Sequence, residues 1–134
     1  MTHGHPESLA SVADDMYYNF FKGIHDSKRR DNTVIVLFSD HGPRWGPIIN
    51  TFQGKIEERM PMLFLVFPPW FRSKYPDHVK NLEINSNRLT THYDTYETLK
   101  DILYFDGNIR QNKGTERGIS LFSEIPKGKV YMTF

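Results

Sequence analysis

With 134 residues, 38% of them hydrophobic and 14% aromatic, the chain is long enough for a packed core and too apolar to remain disordered. A balance of 17 Lys and Arg against 16 Asp and Glu leaves a formal charge of +1, which argues against a nucleic-acid partner held by bulk phosphate attraction. With no cysteine there is neither a disulfide frame nor a thiolate metal site, and the redox compartment stays open.

Thr2 to Pro6 is a polar, turn-prone start holding His3 and His5, after which Leu9, Val12, Met16, Phe20 and Ile24 recur at helical spacing. They predict a helix from Ser8 to Lys22, with Ser8 as N-cap, Gly23 as stop and the apolar face packed on a sheet. His25 to Asn32 is a solvated connector of mixed charge. Val34 to Phe38 follows without a polar interruption and is bounded by turn chemistry, which reads as a strand buried on both faces. Such strands belong to parallel sheets covered by helices.

Ser39-Asp40-His41-Gly42 leaves the carboxyl end of this strand, where open α/β sheets bind their ligands. Asp40 offers a hard oxygen, His41 an imidazole nitrogen, and Gly42 a backbone able to bring both onto one ion. The alternative is that Asp40 caps the next segment and His41 is an ordinary loop histidine. Pro43 to Gly54 reads as a long loop over the site, and Met62 to Phe67 as a second buried strand parallel to the first.

Pro68-Pro69 introduces a short helix from Trp70 to Tyr75, stopped by Pro76. Asp77 to Asn87 has weak periodicity and reads mostly as loop, so His78, like His25, is expected to face solvent. Thr91 to Tyr104 is a helix opened by a Thr-x-x-Asp start, with Tyr96, Leu99, Ile102 and Leu103 as its apolar face. His92 stands at its N-terminus, where the dipole favours a neutral imidazole. Asn108 to Gly118 is a polar loop, Gly118 to Phe122 a short apolar piece, and Lys129 to Phe134 alternates as a half-buried strand would. No repeat or low-complexity tract divides the chain, which reads as a single unit over 1–134. No apolar run reaches membrane-span length, Met1-Thr2-His3 does not open a signal peptide, and no glycosylation sequon occurs.

Four blocks stand in one order: Asp40-His41-Gly42, then Gly54-Lys55 to Glu57-Glu58-Arg59-Met60-Pro61, then Asp94 to Thr98-Leu99, then Gly118-Ile119-Ser120-Leu121. Together they resemble sulfatases and their alkaline-phosphatase-like relatives, closest to an uncharacterised sulfatase-like family of animals. The resemblance covers the whole chain and implies the C-terminal third or so of an α/β sandwich with a mostly parallel sheet covered by helices. It also implies a secretory or extracellular location and metal-dependent hydrolysis, or group transfer, of sulfate or phosphate esters. The substrate would be a small ester or a substituted glycan or lipid head group.

Carried over residue by residue, Asp40 and His41 match metal ligands for zinc, calcium or manganese, His3 a further metal or substrate histidine, and Lys55 the catalytic lysine lying against the sulfate. A metal site then requires Asp40, His41 and His3 in one cleft with Lys55 at its rim. The remaining ligands and the nucleophile of relatives lie in an N-terminal part for which this chain has no match. The isolated chain is therefore expected to turn over no ester. The alternative is a non-catalytic remnant or binding protein that keeps the scaffold.

Overall fold

The computed structural model describes residues 6–110 and 117–129, with side chains from Ala13 onward. The chain falls into two compact units, Met1–Trp70 and Phe71–Phe134. Both contain helices, and the first also holds a small sheet, so the mixed α/β character expected from the sequence is observed.

Unit 1 opens with helix α1, Pro6–Asp26. It runs past Gly23, the expected stop, because the Lys22–Asp26 ion pair spans its last turn and the left-handed residue that ends the segment is Lys28, at φ 58°. The apolar face anticipated from Met16 and Phe20 is not packed on the sheet: Met16 is 73% exposed, and α1 packs on the 3₁₀ turn Arg29–Asn32. Trp70 Nε1 donates to Asp31 O at 2.7 Å, which ties the end of the unit to that turn.

Strands β1, Ile35–Phe38, and β2, Leu63–Val66, form a two-stranded sheet. They pair antiparallel, Ile35 opposite Val66 and Phe38 opposite Leu63, which corrects the expected parallel arrangement. The connection explains the reversal. Helix α2, Phe52–Arg59, is only eight residues long and its last turn folds back on the loop that leaves β1, with Gly42 N–H donating to Glu58 O at 3.0 Å. The chain therefore re-enters the sheet at the end where β1 finished, and Ser39 N–H continues the ladder to Met62 O at 3.2 Å. A parallel return would need a crossover reaching the opposite end of the strand. The strands are also not buried on both faces, since Phe38, Phe64 and Val66 are exposed.

The segment expected to be loop from Pro43 to Gly54 contains a 3₁₀ turn, Pro47–Asn50, and the start of α2. Thr51 decides this locally. Its hydroxyl accepts from Gly54 N–H at 3.0 Å and donates to Ile48 O at 2.6 Å, so it caps α2 and closes the preceding turn together. Gly54 is buried where an added Cβ would lie 1.9 Å from Ile48 O, a packing requirement that in the sequence looks like a loop glycine.

Unit 2 holds α3, Phe71–Lys74, α4, Pro76–Asn85, and α5, His92–Leu103. Pro76 stops α3 and also starts α4, occupying a first-turn position where its missing N–H is not needed. The expected loop from Asp77 to Asn87 is thus mostly helix. Its buried residues are His78 and Asn85, so hydrophobic periodicity had nothing to register. His78, expected in solvent, is 3% exposed and packs among Phe71, Tyr75, Phe105 and Phe122, with ring centroids 5.0–6.2 Å away.

Helix α5 has the anticipated capping box between Thr91 and Asp94. Its orientation is inverted relative to expectation: Tyr96, Leu99 and Leu103 are exposed, whereas Asp94, Thr95, Glu97 and Thr98 are buried. Two of them, Asp94 and Thr98, together with Asn85 of α4, serve the backbone from Ile119 to Ile125. Asp94 Oδ1 accepts Ile119 N–H at 2.7 Å, Thr98 Oγ1 accepts Leu121 N–H at 2.8 Å, and Asn85 Oδ1 accepts Ile125 N–H at 2.9 Å. Asn85 Nδ2 also donates to Leu121 O and Ser123 O, and Asn81 Nδ2 to Phe122 O. Leu121, Phe122 and Ile125 supply the apolar part of the core. The expected strand over Lys129 to Phe134 lies, beyond Lys129, outside the described residues.

Candidate functional site

The Asp40–His41–Gly42 loop takes its shape from both of its flanks. Gly42 lies against the last turn of α2 so closely that a Cβ would meet Glu57 O at 1.9 Å and Glu58 Cα at 2.9 Å. Only glycine fits this approach. The same contact orients His41, whose Nδ1 lies 2.7 Å from Gly42 O. A carbonyl accepts and cannot donate, so Nδ1 carries the proton and the lone pair of a neutral ring resides on Nε2.

Asp40 closes the pair from the other side. Its Oδ1 accepts the His41 backbone N–H at 2.9 Å, and its Oδ2 lies 3.5 Å from His41 Nε2. The side chain of Asp40 is 84% exposed and that of His41 33%. The His41 backbone N–H holds the Asp40 carboxyl below its ordinary value of 3.8 against the opposing effect of desolvation, and the charges of His41 and Arg44 act in the same direction.

With Nδ1 committed, Nε2 and Oδ2 are two electron-rich atoms side by side, a juxtaposition reconciled by a proton on Nε2 or by a cation between them. The spacing accommodates either one. Two ligands about 2.1 Å from one tetrahedral ion stand about 3.4 Å apart, close to the 3.5 Å observed. Imidazole plus carboxylate is a donor set for zinc or manganese, whereas calcium prefers oxygen alone.

The remaining site residues distribute as follows. Lys55 stands exposed on α2, one helical turn before Glu58. His3 and His5 lie outside the described residues. His92 begins α5 in unit 2, and His25 is exposed at the end of α1, its Nδ1 3.3 Å from Asp26. Among the described residues no third His, Asp or Glu joins Asp40 and His41. Sequence reasoning passed over Arg44, whose Nε donates to Glu58 Oε1 at 3.1 Å. The available signal was its place three residues beyond His41, but the acidic partner lies 14 positions away.

Residues 1–130 match the family model described as a protein of unknown function, DUF229. The chain belongs to the DUF229 family. No curated protein and no solved structure matches it. The DUF229 match runs through both units, from α1 to the segment after Phe122, and therefore includes the Asp40–His41 loop and the α5 network alike. Its description states no activity.

Proposed function

We propose that this DUF229 chain is the C-terminal portion of a metal-dependent hydrolase of sulfate or phosphate esters, in which Asp40 and His41 ligate one divalent ion. The observation that carries the reading is the 3.5 Å separation of Asp40 Oδ2 and His41 Nε2 with Nδ1 already committed to Gly42 O. A backbone-oriented imidazole beside a carboxylate is how proteins present a preformed pair of metal ligands. The antiparallel pairing of β1 and β2 lends no support to a parallel sandwich, so the proposal rests on the site and on the order of the motifs.

When bound, the ion would supply polarisation of a non-bridging ester oxygen. The chain's own residues have defined tasks. Asp40 and His41 bind, Gly42 fixes the imidazole, His3 adds a ligand, and Lys55 balances charge on the ester oxygens. The nucleophile is contributed from outside this chain. The substrate is a small ester or an ester group on a glycan or lipid head group, met in the secretory route or outside the cell.

The test is a zinc titration of the 134-residue chain, followed at the His41 ring protons by NMR. Zinc is expected to shift those signals, and Asp40→Ala to weaken the affinity at least about tenfold. Chromogenic sulfate and phosphate esters should be hydrolysed no faster than in buffer. A His41 ring insensitive to zinc, or an affinity unchanged by Asp40→Ala, would overturn the metal site.

A further inference from the structure

We propose that Arg44 is an anion-binding residue of the Asp40–His41 loop, taking the oxygens of a sulfate or phosphate group, and that Glu58 positions it. The inference rests on reading the site as one for such esters and adds the residue that recognises their charged group.

The guanidinium is half committed. Nε donates to Glu58 Oε1 at 3.1 Å, while no hydrogen bond among the described residues uses Nη1 or Nη2. The outer edge therefore presents parallel N–H groups, a fork matched to two oxygens of an oxyanion. Glu58 holds the loop at two points: its carbonyl accepts Gly42 N–H at 3.0 Å and its carboxylate accepts the guanidinium. One residue of α2 thus sets both the backbone that orients His41 and the cation three residues farther on. Arg44 is also near enough to Asp40 for its charge to favour the ionised carboxylate.

Lys55 offers a different kind of cation, a point charge on a flexible stem with no preset direction. The Arg44 side chain is 58% exposed and that of Glu58 31%, so an incoming anion can reach the fork. Exposed pairs of this kind add little to stability, which means that changing them tests binding without unfolding the unit.

The experiment titrates the full chain with inorganic sulfate, and separately with inorganic phosphate, at constant ionic strength, reading the Arg44 Nε–H and Gly42 amide signals. Both anions are expected to shift the Nε–H. Arg44→Lys and Arg44→Gln should each weaken sulfate affinity at least about tenfold, the loss expected for a missing charge-assisted hydrogen bond. Glu58→Ala should broaden the Nε–H signal and weaken affinity, and Glu58→Gln, which keeps the accepting oxygen, should restore the narrow signal. Arg72→Gln is the control, since it breaks an exposed Arg–Glu pair of 2.8 Å in unit 2. Equal weakening by Arg72→Gln, or an Nε–H signal unmoved by both anions, overturns the assignment. Zinc binding at His41 with no anion response at Arg44 would refute this inference alone, whereas an anion response with no zinc binding would refute the metal site alone.

Discussion

In unit 1 the strands richest in apolar residues leave Phe38, Phe64 and Val66 exposed, whereas in unit 2 helix α5 turns Asp94, Thr95, Glu97 and Thr98 inward. The contrast follows from where each unit finds partners for its backbone. In unit 1, β1 and β2 pair backbone to backbone along their shared edge, and side-chain burial is left incomplete. In unit 2 the segment from Ile119 to Ile125 has side chains where a neighbouring strand would be, and buried peptide groups must be paired. Polar residues are therefore inside because they complete a ladder.

The comparison breaks most visibly at Asp94, which is fully buried, accepts Thr91 N–H at 2.8 Å and Ile119 N–H at 2.7 Å, and pairs with Lys129 at 2.5 Å. Asp94→Ala removes the acceptor of the Thr91 and Ile119 N–H groups and the carboxylate that faces Lys129. It is expected to destabilise unit 2 by about 3–5 kcal/mol, read by urea denaturation with hydrogen exchange at Ile119 and Leu121. A loss under about 1 kcal/mol would mean that this network behaves like a surface pair.

A smaller effect is expected at Gly42, where the loop after β1 approaches the backbone of α2 closely. Gly42→Ala places a Cβ 1.9 Å from Glu57 O, so the loop must separate from α2, at about 1–3 kcal/mol. The His41 ring signals should shift with it. Unchanged stability and unchanged His41 signals would show that the loop is not held by α2.

The smallest effect sharpens the contrast between an exposed and a buried carboxylate. Asp40 should titrate with a midpoint below 3.8, followed by carbon NMR of its side-chain carboxyl. Because the folded value is depressed, its contribution to stability is present above the unfolded value and is lost as pH falls through the folded one. Asp40→Asn should remove that pH dependence and lower neutral-pH stability by the same small amount. A midpoint at or above 3.8 would exclude the hydrogen bond from His41 N–H as its controlling partner.

Local signals in the chain mark most of the elements. The Thr91–Asp94 capping pair, the apolar runs of β1 and β2 and the spacing of α1 all correspond to observed structure. What periodicity misassigned was the buried face. Leu99 and Leu103 look like core residues until Thr98 is seen accepting Leu121 N–H from 23 positions away. Likewise α4 escapes detection because His78 and Asn85 are its buried residues, and Asn85 is useful only to a segment about 40 positions farther on.

Short-range chemistry sufficed to place Asp40, His41 and Gly42 in a loop after a strand, since an apolar run followed by a glycine turn is determined over a few neighbours. The direction of β2, the fit of Gly42 against Glu57, the pairing of Arg44 with Glu58 and the burial of His78 were decided by tertiary structure alone. Each depends on contacts between residues far apart along the chain, and no periodicity within a single element carries that information.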